Sequence, residues 1–64
     1  MDDFTKLLKK ALNARGCYFV RQGKGDHEIW YSPISQNNFV VDGKIKSRHT
    51  ANAALKQAGI EKLF

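Results

Sequence analysis

A chain of 64 residues can hide only about 60% of the surface its unfolded form exposes, so its core is limited to one layer of helix against one sheet. Nothing covalent reinforces that layer. Cys17 is the only cysteine, which excludes an internal disulfide and any cysteine-based zinc site. It reads as a core or strand residue kept in a reducing compartment. Apolar residues make up 42% of the chain, enough for a globular core and too much for a disordered basic tail. The longest apolar run, Cys17-Tyr18-Phe19-Val20, is far short of the ~20 residues a membrane span requires. Met1-Asp2-Asp3 is acidic where a signal peptide is basic. A cytoplasmic protein without a membrane partner is therefore expected.

The net charge of +5 is unevenly placed. Residues 1–22 hold five positive and two negative side chains, and residues 44–64 hold five and one. Residues 23–43 between them hold one positive and three negative. A basic balance on so small a body favours a polyanionic partner.

Phe4, Leu7, Leu8, Ala11 and Leu12 form one apolar stripe at helical spacing, so a first helix is expected over residues 3–15. Asp2 or Asp3 caps it, and Gly16 ends it in the left-handed region. Cys17 to Gln22 is aromatic and β-branched and reads as a strand. Gly23-Lys24-Gly25-Asp26 makes a hairpin turn into a second strand, His27 to Ser32. Residues 33–38 form another turn, with Asn37-Asn38 left-handed, before a third strand at Phe39 to Asp42. The last helix starts near Ser47 or Arg48, buries Ala51, Ala54, Leu55 and Ala58, and stops at Gly59. Ile60, Leu63 and Phe64 fold back onto the core. The expected fold is α+β: a three-stranded antiparallel meander with both helices on one face, in the order α-β-β-β-α.

Chemistry concentrates in Arg21-Gln22-Gly23-Lys24-Gly25-Asp26-His27-Glu28-Ile29-Trp30. His27 reads either as a strand-end histidine bonded to backbone or as a general acid or base, the side chain whose ordinary pKa lies nearest neutrality. It has no metal-ligand spacing, because His49, the other histidine, is 22 residues away. The glycines belong to the hairpin: the G-x-x-x-x-G-K-[ST] pattern is missing and the segment opens a strand. Trp30 and Tyr31 take opposite faces, the outward one available for cross-strand packing or for stacking on a base. Lys44, Lys46 and Arg48 lead into the last helix, where they are either solvated charges or phosphate contacts.

Gly16, the run from Arg21 to Trp30 and Leu55-Lys56-Gln57-Ala58-Gly59 closely resemble the HicA family of toxins, over nearly the whole chain. The resemblance implies one domain over residues 1–64, with a fold like the double-stranded-RNA-binding domain. It implies a ribosome-independent mRNA interferase with no cofactor or metal, His27 as the catalytic residue, and a HicB-like antitoxin as protein partner besides RNA. Asp26 stands where family members commonly carry Ser or Thr, and residues 42–50 lack the Pro-x-His and Gly-Thr-Leu elements frequent in relatives. Within that reading Asp26 or Glu28 would orient the imidazole, and Lys24, Arg21, Lys44, Lys46 and Arg48 would contact RNA. The competing expectation is a non-catalytic module that binds duplex RNA through shape and phosphates.

Overall fold

The computed structural model describes residues 4–61 and 63–64, so the expected caps Asp2 and Asp3 lie outside it. Two helices and three strands follow in the order α-β-β-β-α: α1 (Thr5–Ala14), β1 (Tyr18–Gln22), β2 (Glu28–Ser32), β3 (Asn37–Val41) and α2 (Arg48–Gln57). The strands form one antiparallel sheet ordered β1-β2-β3. No helix among the described residues is long and apolar enough to cross a membrane.

Glycine ends both helices as expected. Gly16 takes φ +89° and turns the Cys17 N–H back to the Leu12 carbonyl at 2.9 Å. Gly59 takes φ +79°, and the Ile60 N–H does the same at Leu55, again at 2.9 Å. The Ser47 hydroxyl accepts the His49 N–H at 3.1 Å and so caps α2.

One side of the sheet carries Trp30, Phe39 and Val41, which bury against Leu8 and Leu12 of α1 and Ala51, Ala54 and Leu55 of α2. Buried Ser32 fastens the far end: its hydroxyl donates to the Ala58 carbonyl at 2.6 Å and accepts the Ile34 and Ser35 N–H groups. The β3–α2 connection is pinned at Ile45, which is buried and accepts the Phe4 N–H at 2.7 Å. The Ile45 N–H in turn donates to Thr5 Oγ1. At the C-terminal end, Asn52 exchanges two hydrogen bonds with the Phe64 backbone, and Phe64 meets Phe4 edge-on.

Three expectations are corrected. Leu7, on the predicted apolar stripe, is 54% exposed, because Leu8 and Leu12 are the α1 side chains that reach the core. Leu63 also stays exposed, while Ile60 packs. The left-handed residue of the second turn is Gln36 (φ +58°) and not Asn37 or Asn38, which already belong to β3. The strand β1, whose pairing with β2 shifts register between Phe19 and Arg21, buries none of its side chains; only the preceding Cys17 is buried.

Leu55 is fully buried at the junction of α2 and the sheet. Leu55→Ala should cost about 2–5 kcal/mol. A chain of this length commands roughly 3–10 kcal/mol in total, at 0.05–0.15 kcal/mol per residue. The variant should therefore melt far below the wild type in a thermal scan followed by circular dichroism.

Candidate active site on the open face of the sheet

Strand alternation sorts the sheet's side chains into two sets. Tyr18, Tyr31 and Asn38 pair across the strands, as do Arg21, Ile29 and Val40, and both rows face away from the helices. The Tyr18 and Tyr31 rings pack 5.5 Å apart at 41°, with Tyr18 about half exposed. Tyr31 is thus a cross-strand packing residue that still borders solvent.

His27 continues this outer set one residue beyond β2. The last ladder pair is Glu28 with Val41, so one step further sets His27 opposite Asp42. Their side chains meet there, His27 Nε2 lying 3.2 Å from Asp42 Oδ1, and both are about half exposed. The hairpin that presents the imidazole is held through its backbone. The His27 carbonyl accepts the Gly23 N–H at 2.8 Å and the Gln22 side-chain amide at 2.7 Å, and the His27 N–H donates to Lys24 at 3.1 Å. Gly25, at φ +64°, supplies the left-handed position of this turn.

The carboxylate facing His27 is therefore Asp42, which the sequence-based candidates did not include. Glu28 points to the helix side of the sheet, where Oε1 accepts the Trp30 indole N–H at 2.9 Å and Oε2 pairs with Lys9 of α1 at 3.1 Å. It braces α1 against β2 and does not orient the imidazole. Asp26 is exposed, with its carbonyl and Cβ packed against Gly43. Arg21 lies on the outer face two strands from Val40, and Lys24 sits exposed in the hairpin. Lys44, Lys46 and Arg48 are exposed on the segment that leaves Asp42. None of these five cations forms an ion pair among the described residues.

The Trp30 hydrogen bond holds the Glu28 carboxyl below its ordinary value of 4.5, helped by Lys9 and opposed by partial burial. A lowered folded-state pKa stabilises the protein above the unfolded value, and that stability is lost as pH falls through the folded one. The melting temperature should therefore drop as pH falls below 4.5. Glu28→Gln should be less stable at neutral pH and show a shallower acid decline.

A half-exposed histidine facing a carboxylate on the open face of the sheet is the geometry on which the comparison with known families bears. Residues 5–60 match the family described as the HicA toxin of bacterial toxin–antitoxin systems. The chain belongs to the HicA toxin family. The match spans every helix and strand and includes both His27 and Asp42. No curated protein and no solved structure matched the chain. Its HicA membership makes it a toxin component of a toxin–antitoxin system.

Asp42 has a sequence signal, but a weak one: it depends on the length of the β2–β3 turn. With strands over 28–32 and 37–41, residues 27 and 42 fall opposite each other, one step beyond the Glu28–Val41 pair.

Proposed function

We propose that the protein is a metal-independent endoribonuclease that cuts single-stranded regions of mRNA, with His27 as its acid/base group. The observation that carries this is the 3.2 Å approach of Asp42 to His27 Nε2 on an exposed face. A carboxylate at Nε2 keeps the imidazole proton on that nitrogen and leaves the lone pair on Nδ1. Nδ1 then takes the proton of a ribose 2′-hydroxyl, the 2′ oxygen attacks the adjacent phosphorus, and the bond to the 5′ oxygen breaks. The leaving oxygen takes a proton from water. The products are a 2′,3′-cyclic phosphate and a 5′-hydroxyl end. Arg21 and Lys24, the cations nearest in sequence to His27, stabilise charge on the phosphate, and Lys44, Lys46 and Arg48 hold the flanking backbone.

Inhibition follows from the same face. A HicB-like antitoxin that covers the sheet would bury His27 together with Tyr18, Val20 and Val40, which are 53%, 43% and 42% exposed.

Incubation of the purified protein with RNA in EDTA tests the reading. RNA should be cut to cyclic-phosphate products while DNA of the same sequence stays intact, because DNA lacks the 2′-hydroxyl. Intact RNA that still binds in a salt-dependent manner would replace the enzyme with the binding module.

A further inference from the structure

The outer face of the sheet ends at a groove between the free edge of β3 and one side of α2. Its volume is about 210 Å³. Val40, Ile45 and Ala53 supply apolar surface, and Asp42, Thr50 and Gln57 supply polar groups. Thr50, Ala53 and Gln57 share a helix face by their spacing of three and four, so α2 forms one continuous wall. Asp42 belongs to two places at once, since it lines the groove while its Oδ1 faces His27.

We propose that this groove is a base-recognition subsite that takes one unpaired nucleobase of the RNA, next to the phosphate that is cut; the proposal rests on the ribonuclease reading above. Three observations select this occupant. The groove is smaller than the roughly 300–1,000 Å³ of a site for a whole small-molecule ligand, which suits a single ring system. Its composition, apolar surfaces with hydrogen-bonding groups at the margin, is that of sites that hold a splayed-out base by its faces and read it by its edge. The segment from Asp42 to Thr50 also carries Lys44, Lys46 and Arg48, exposed and without acidic partners among the described residues, in place to hold the phosphates on either side. That surface suits a nucleic acid strand better than an apolar side chain of a protein.

The polar groups set a preference. Thr50 and Gln57 each donate and accept, whereas Asp42 only accepts. Adenine, cytosine and guanine offer Asp42 an exocyclic amino group, whereas the one donor of uracil, N3–H, is flanked by two carbonyl oxygens that the carboxylate repels, so those three bases are favoured over uracil. Because Asp42 also faces His27, a base seated in the groove brings its own ribose to the imidazole.

Titration of the wild-type chain with each of the four nucleoside 3′-monophosphates, followed by amide chemical shifts, tests the subsite without requiring cleavage. Shifts should centre on Val40, Thr50, Ala53 and Gln57, and the uridine nucleotide should bind about tenfold more weakly than the best of the others, as the loss of one good base-edge contact implies. Ala53→Trp should fill the groove and abolish the shifts, and Thr50→Val, nearly isosteric, should weaken them in a folded chain. Equal binding of all four nucleotides would overturn the proposal. So would a groove silent to every nucleotide but protected by the antitoxin. A second arm maps the cut sites on an RNA of mixed sequence. If wild type and Ala53→Trp cut at the same sites, the subsite falls and the ribonuclease stands. If the wild type leaves RNA intact while the groove still selects among nucleotides, the subsite stands and the catalytic reading falls.

Discussion

His27→Ala should abolish RNA cleavage and growth arrest while the protein stays folded. Removing a positioned acid/base group costs about 10²–10⁴ in rate. That loss is enough to turn a toxin into a silent protein. The fold should survive because the hairpin is secured by the His27 backbone, not its ring: the bonds to Gly23, Gln22 and Lys24 use only the carbonyl and the N–H. The ring itself touches Asp42 at the solvent border, half exposed. Circular dichroism and melting temperature should match the wild type closely, since a surface truncation of this kind falls within about 0.5 kcal/mol. Asp42→Asn should lie between the two, because the amide keeps the shape and loses the charge that fixes the imidazole. A His27→Ala protein that still cuts RNA would remove the histidine mechanism, and a fully active Asp42→Asn would remove the pairing from it.

The split between what was legible and what was not follows the range of the interactions. Helix ends depend on neighbours within five residues, and Gly16, Ser47 and Gly59 act where their chemistry says they should. The core side of α2 follows from spacing alone, with Ala51, Ala54, Leu55 and Ala58 all buried. His27 stood out because one histidine beside a glycine turn is a local pattern. Asp42 was hidden because its partner is set by register. A turn over residues 33–38 would pair Ser32 with Phe39 and put Lys44 opposite His27. The left-handed residue at Gln36 closes the turn two residues sooner, pairs Ser32 with Asn37 and brings Asp42 there instead. The exposure of all of β1 is equally unannounced, since the aromatic and β-branched residues of Tyr18-Phe19-Val20 mark a strand without saying which side chains it buries. Glu28 shows the converse: it is adjacent to His27 in sequence, and strand alternation sends it to the opposite face.

Gly43→Ala should cut activity by about a hundredfold in a protein that remains folded, the penalty of misplacing a catalytic group by about 1 Å. Gly43 needs no left-handed backbone; it is confined by contact. A Cβ there would stand 2.5 Å from the Asp26 carbonyl oxygen and 2.8 Å from the Asp26 Cβ. Carbon atoms rest about 3.5–4.0 Å from their neighbours, so the backbones at residues 26 and 43 must separate by about an ångström. Those residues adjoin His27 and Asp42, and the separation acts directly on the 3.2 Å approach between them. The ladder from Glu28–Val41 to Ser32–Asn37 lies beyond the disturbance and keeps the sheet together. Gly25→Asn is the control. Gly25 has φ +64° with nothing within 4 Å of an added Cβ, and asparagine tolerates that backbone, so activity should stay near wild type. RNA cleavage rates for the two variants, measured beside their melting temperatures, decide the matter. Wild-type cleavage by Gly43→Ala would mean that catalysis does not depend on holding Asp42 against His27.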